Sequence, residues 1–140
     1  MKRDEWQRLA ERWLSDAKNL LDNHRWSTAY YTAGYAVECG LKACIVARVA
    51  AAPEVIFADR RFSEKCWTHT FEELVKLADL VAARAADMAA SPALRANWLI
   101  VNDWTETSRY STTSHWDAKK LYKAITDKAN GVMPWIRVRW

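Results

Sequence analysis

Arg109 and His115, separated by five residues in RYSTTSH, are of residue types that together can do chemistry on a phosphate ester. A histidine titrates near neutral pH and can take a proton from a 2′-hydroxyl or return one to a leaving oxygen. An arginine stays charged and can stabilise the negative charge that develops on the phosphorus oxygens. Cleavage by such a pair asks nothing of a metal. Glu38 is the next candidate, at the border of an apolar stripe where a carboxylate needs a partner. Lys42, one helical turn on, or Arg109 reaching in from elsewhere, would supply it, which makes Glu38 an orienting group rather than a reacting one. His69 directly precedes a helix start and reads mainly as structural, while His24 sits in a turn with no second ligand beside it, so no metal site is read.

The elements that must position these residues follow from periodicity. Between Asp4 and Leu21, the residues Trp6, Leu9, Ala10, Trp13, Leu14, Ala17, Leu20 and Leu21 recur at helical spacing and predict a first amphipathic helix. Asp22, Asn23 and His24 then form a turn, which makes the first two helices an antiparallel hairpin. The second helix, Trp26 to Val49, is the longest proline-free run and carries one broad apolar stripe through Tyr30, Ala33, Gly34, Val37, Leu41, Cys44 and Ile45. Residues 51–68 hold Asp59, Arg60, Arg61 and Lys65 among isolated apolar residues and read as a long surface loop, a candidate lid or contact surface.

Thr70 and Glu73 have the spacing of a capping box, which predicts a third helix running to about Ala89. Ser91 and Pro92 start a fourth, which ends near Ser108, and Ser114 with Asp117 caps a fifth that carries Ala118, Leu121, Tyr122, Ile125 and Ala129. Helical phase sets Arg109 on the Trp98 to Thr105 face of the fourth helix and His115 ahead of the Ala118 and Tyr122 face of the fifth, so both point toward one junction. Gly131 and Pro134 stop the pattern and leave WIRVRW as an extended tail with one apolar and one basic edge. The fold class is all-α: one domain over residues 1–140, a five-helix, mostly antiparallel bundle with a short extended C-terminal tail. Its predicted core holds Trp13, Leu14, Val37, Leu41, Leu74, Val101 and Ile125.

Composition agrees with that class. The chain is 51% hydrophobic and 27% charged with only three Gly and three Pro, which favours helices over a turn-rich β fold. A formal net charge of +4 favours an acidic partner without the dense basic stripe of a dedicated nucleic-acid binder. Three cysteines, Cys39, Cys44 and Cys66, without C-x-x-C spacing, indicate neither a disulfide framework nor a zinc site and suit a reducing cytoplasm. No apolar run approaches the roughly 18 residues that span a bilayer, and MKRDEWQRL is not signal-like, so no membrane association is expected. Of the nine tryptophans, Trp6, Trp13 and Trp98 lie on core stripes, and Trp104, Trp116, Trp135 and Trp140 are the better surface candidates for stacking on bases.

The pattern AYYTAGYAVECGLKA resembles the signature helix of the HEPN family, small helical-bundle proteins associated with nucleotides, RNA cleavage and toxin–antitoxin pairs, and HTFEEL resembles the element that opens a later helix of the same family. The spacing from Arg109 to His115 falls within the R-x4–6-H pattern of its ribonuclease-active members. Tyr110 stands where those members usually carry a small polar residue, and the Arg-Tyr pair is similar to the RY-containing subgroups. The resemblance therefore implies first an RNA- or nucleotide-associated binding and regulatory module, paired with a nucleotidyltransferase or another antitoxin. Its second implication is a metal-independent endoribonuclease using Arg109 and His115 across a dimer cleft. It also implies a homodimer. A third reading, from the residues alone, is a protein-interaction bundle whose partner surface is the Pro134 to Trp140 tail with the exposed aromatics. None of these readings calls for a cofactor.

Overall fold

Two helices joined by a tight turn form the base of the molecule: α1 (Arg3–Asp22) and α2 (Trp26–Ala51). The turn works because His24 adopts φ 58°, a left-handed conformation that reverses the chain within three residues. The computed structural model describes all residues, Met1–Trp140. After α2 come α3 (Val55–Ala58), α4 (Phe62–Lys65), α5 (Phe71–Leu77), α6 (Val81–Ala90), α7 (Pro92–Asn102), a 3-10 turn (Glu106–Tyr110), α8 (His115–Thr126) and α9 (Val132–Arg137). No helix is long and apolar enough to cross a membrane.

α2 is wrapped rather than striped. Apart from Tyr35, every residue from Thr32 to Ile45 is buried, because α1, α5, the 3-10 turn, α8 and α9 cover it from different sides. Its small residues make this enclosure work. A Cβ on Gly34 would lie 2.2 Å from the Trp104 indole, so the bare backbone at that position is what lets the ring lie flat on the helix. Leu14, Val37, Leu41, Leu74, Val101 and Ile125 are all in the core, as predicted, whereas Trp13 is only partly buried.

The five-helix bundle becomes nine helices, and each difference has a local cause. The predicted third helix breaks at Asp79, which adopts φ 59°, between α5 and α6. The bend lets Arg84 of α6 fold back on Glu72 of α5 and cover Trp98 at 4.9 Å. Residues 51–68 are not a loop throughout: α3 and α4 lie there, and Phe62 is buried while Arg48 of α2 sits over its ring. The fourth helix stops at Asn102, not Ser108, because the chain turns to bury Trp104 against Gly34 and Phe71, with ring centroids 5.1 Å apart and nearly parallel.

The tail is likewise not extended. Pro134 falls in the first turn of α9, where a missing N–H breaks no helical bond, and Val132, Met133 and Ile136 are fully buried. Gly131 is the N-cap of this helix, while α8 has already ended at Thr126. Trp135 packs edge-on against Trp98 and donates to Asp87 at 2.8 Å, and Arg137 reaches Glu11 of α1. The C-terminal segment is therefore a closing element of the core through Val132, Met133, Trp135 and Ile136, with Arg137 and Val138 exposed.

Candidate functional site

Glu38 enters the interior because α2 is covered on all sides, and at 1% exposure its carboxylate must be compensated within the protein. Lys42, one turn on, supplies its ammonium at 2.7 Å. The second partner is His69, not Arg109. His69 stands just before α5, and its Nδ1 lies 3.0 and 2.9 Å from the two Glu38 oxygens. On the far edge of the same ring, Nε2 lies 3.0 Å from Glu106 Oε2 on the 3-10 turn. Only the doubly protonated ring donates to both carboxylates at once.

This row ties α2, the start of α5 and the 3-10 turn together. It consists of hydrogen bonds on opposite edges of one ring and not of ligands converging on a point, and no cluster of three His, Cys, Asp or Glu side chains in the fold is arranged to hold a metal. His69 and Glu106 also line a polar cavity of about 520 Å³ with Thr68, Thr70, Thr105 and Thr107. Tyr35 packs beside His69, and its phenol is raised by burial first and by the Glu38 charge second. Burial pushes the Cys39 and Cys44 thiols up to about 12, which leaves both protonated and poor as nucleophiles or metal ligands at neutral pH.

Arg109 projects from the 3-10 turn that Glu106 anchors. Its guanidinium lies 4.8 Å from the centroid of the Tyr110 ring, and the Tyr110 and Tyr31 hydroxyls hold its charge even more firmly than usual. It is exposed, and none of the fold's ion pairs uses it. Tyr110 is 78% exposed and stacks on the arginine instead of filling a cleft.

His115 is the first residue of α8, whose cap is Ser114 accepting from the Asp117 N–H at 3.1 Å. Ser27 of α2 accepts the Thr113 N–H at 2.8 Å and pins the preceding loop. The His115 ring rests 5.0 Å from Trp26 and 4.6 Å from Trp116. Arg109 and His115 thus share a segment but lean on different residues of α2, Tyr31 and Trp26. At 100° per residue these two positions face about 140° apart around the helix. Beneath the loop that joins them lies a polar cavity of about 390 Å³, lined by Tyr30, Ser108, Ser111, Thr113, Asp117 and Lys120, and neither Arg109 nor His115 lines it.

Sequence reasoning found Lys42 as the partner of Glu38 and missed Glu106, which no motif marks. The HTFEEL element was the available signal that His69 faces something more than a helix start. Among the tryptophans proposed for the surface, Trp104 and Trp135 are buried, Trp140 is partly buried and Trp116 is 74% exposed. A second exposed aromatic, Trp67, lies with Ile56, Val49 and Met1 along an apolar groove of about 590 Å³ at the other end of α2. No curated protein and no solved structure matches the chain. The family model for the HEPN domain does, across residues 4–138 and so nearly from end to end, and the protein belongs to the HEPN domain family.

Proposed function

We propose that this HEPN protein is an RNA- or nucleotide-associated binding and regulatory module in which Arg109 contacts phosphate. The observation that carries this reading is the state of Arg109: exposed, free of any carboxylate, and presented on a turn that Glu106, His69 and Glu38 tie to the central helix. An arginine so placed gives a planar, permanently charged fork to a phosphate without first breaking an internal ion pair. Family membership supports the general association with nucleotides and RNA.

The endoribonuclease reading is second. It needs His115 and Arg109 to act on one phosphate, and their separate neighbours within the chain favour binding over cleavage by a single copy. A homodimer that brings one copy's Arg109 to the other's His115 would restore it; the gene-pair partner, a nucleotidyltransferase or another antitoxin in the cytoplasm, belongs to the first reading.

Fluorescence anisotropy with labelled RNA at several salt concentrations tests the first reading. Arg109→Ala should weaken binding and lower the dependence of log K on log salt by about one phosphate contact. Equal affinity and an equal salt slope in the variant would refute it. RNA cleavage that persists in a chelator, yields a 2′,3′-cyclic phosphate and disappears in His115→Ala would instead establish the second.

A further inference from the structure

We propose that Trp116, backed by His115 and Trp26, is a stacking subsite for the unpaired bases of a single-stranded RNA. The inference rests on the RNA-associated reading above and adds to it a contact that reads base faces, which Arg109 does not.

Four rings stand in an unbroken row on one side of the molecule. His24 stacks on Trp26 at 5.0 Å and 18°, Trp26 meets His115 at 5.0 Å, and His115 meets Trp116 at 4.6 Å. The inner members are held by backbone: Trp26 opens α2, His115 opens α8, and the bond from Thr113 to Ser27 locks the two helix starts together. The last ring, Trp116, is 74% exposed. With Trp26 and His115 held in the middle of the row, the exposed Trp116 ring at its end can accept one more flat ring without rearranging.

The charge around the row selects the ligand. Lys119 lies 5.8 Å from the Trp26 ring, and one turn further along the same face of α8 comes Lys123. Arg25 precedes Trp26. All three are exposed and take part in none of the fold's ion pairs, whereas Lys18 nearby is neutralised by Asp22 at 2.6 Å and Asp117 is the acid left beside the row. Contiguous aromatic rings, the His24–Trp26 pair stacked and the two contacts of His115 tilted by 46° and 40°, flanked by free cations suit a polyanion that carries flat rings, which is the chemistry of single-stranded nucleic acid. A protein ligand would be better served by the groove of Ile56, Val49 and Trp67, which has the aliphatic walls this row lacks.

The test uses the full-length protein and a short labelled RNA, offered both as a single strand and as a duplex. Trp116→Ala should weaken single-strand binding by roughly 5- to 100-fold. Trp116→Phe should recover most of that loss, and duplex binding should stay within error of wild type. The far-UV circular dichroism of both variants should match wild type, since the side chain is exposed. Arg109→Ala should weaken single strand and duplex alike. If wild type binds the single strand and Trp116→Ala binds it equally well, the stacking subsite is wrong while the Arg109 reading stands. If wild type binds no RNA in either form, both are wrong. A shift of Trp116→Ala from dimer to monomer in light scattering, with RNA binding unchanged, would make the row a self-association surface and overturn the proposal.

Discussion

Replacing Glu38 by Gln keeps the volume of the side chain and removes its charge, which isolates what the carboxylate does for the centre of the molecule. Glu38 is 1% exposed and Lys42 8% exposed, so after the substitution the ammonium is left in the interior without a counter-charge. Breaking one side of a buried ion pair typically costs about 3–5 kcal/mol. The His69 side chain keeps 36% of its surface in water, which relieves part of that penalty and sets the expected loss near the lower end, about 3 kcal/mol. His69→Gln should cost less, about 1.5 kcal/mol, because Glu38 retains Lys42 at 2.7 Å and water can reach the vacated side. The double variant should lose about 1 kcal/mol less than the sum, since both changes remove the same contact. Urea titration followed by circular dichroism measures all three, with the slope checked for constancy. A Glu38→Gln loss below about 0.5 kcal/mol, or strict additivity with His69→Gln, would refute the view that this carboxylate holds the three segments together.

Three further outcomes follow from the geometry. Gly34→Ala should destabilise by about 1–3 kcal/mol and alter the near-UV tryptophan signal, because the new methyl cannot coexist with the Trp104 indole in its present place; an unchanged spectrum would show that the ring is not held there. The hydrogen bonds from Arg84 hold the Glu72 carboxyl below its usual range, so its folded pKa is the lower of the two and the stability it gives is present above about pH 4 and lost as pH falls through the folded value. The deficit of Glu72→Gln relative to wild type should therefore be full at neutral pH and shrink in acid, and a deficit that grows in acid would reverse the assignment. In a mildly alkaline thiol-labelling experiment on folded protein, partly exposed Cys66 should react first while buried Cys39 and Cys44 stay unmodified until denaturant is added; mass mapping decides it.

Much of the scaffold was legible in the chain because it is written in local chemistry. The spacing of Leu9, Trp13 and Ala17 places α1 nearly where it occurs, and Ser91-Pro92 and the Ser114 cap place the starts of α7 and α8, since periodicity and capping act within one or two turns. Where local signals run out, tertiary contacts decide the conformation. Asp79 looks like any polar residue on a helix surface, and its left-handed turn makes sense only once Arg84 is seen to meet Glu72. WIRVRW alternates like a strand, yet its first three residues, Trp135 to Arg137, belong to α9, whose Met133 and Ile136 pack against Gly40 of α2.

The sequence by itself determined the class, the family-bearing α2 with its Glu38 and Lys42 pair, and the candidacy of Arg109 and His115, all of which depend on residue type and spacing along one helix or one short segment. Only the tertiary structure decided that Glu38 takes His69 as its second partner, that Glu106 completes the row, and that Arg109 neighbours Tyr31 and His115 neighbours Trp26 on α2 while Trp116 stands open beside free cations. These are relations between segments 31 to 89 residues apart, such as His69 with Glu38 and His115 with Trp26, which are set by how the helices rotate and pack against a common core.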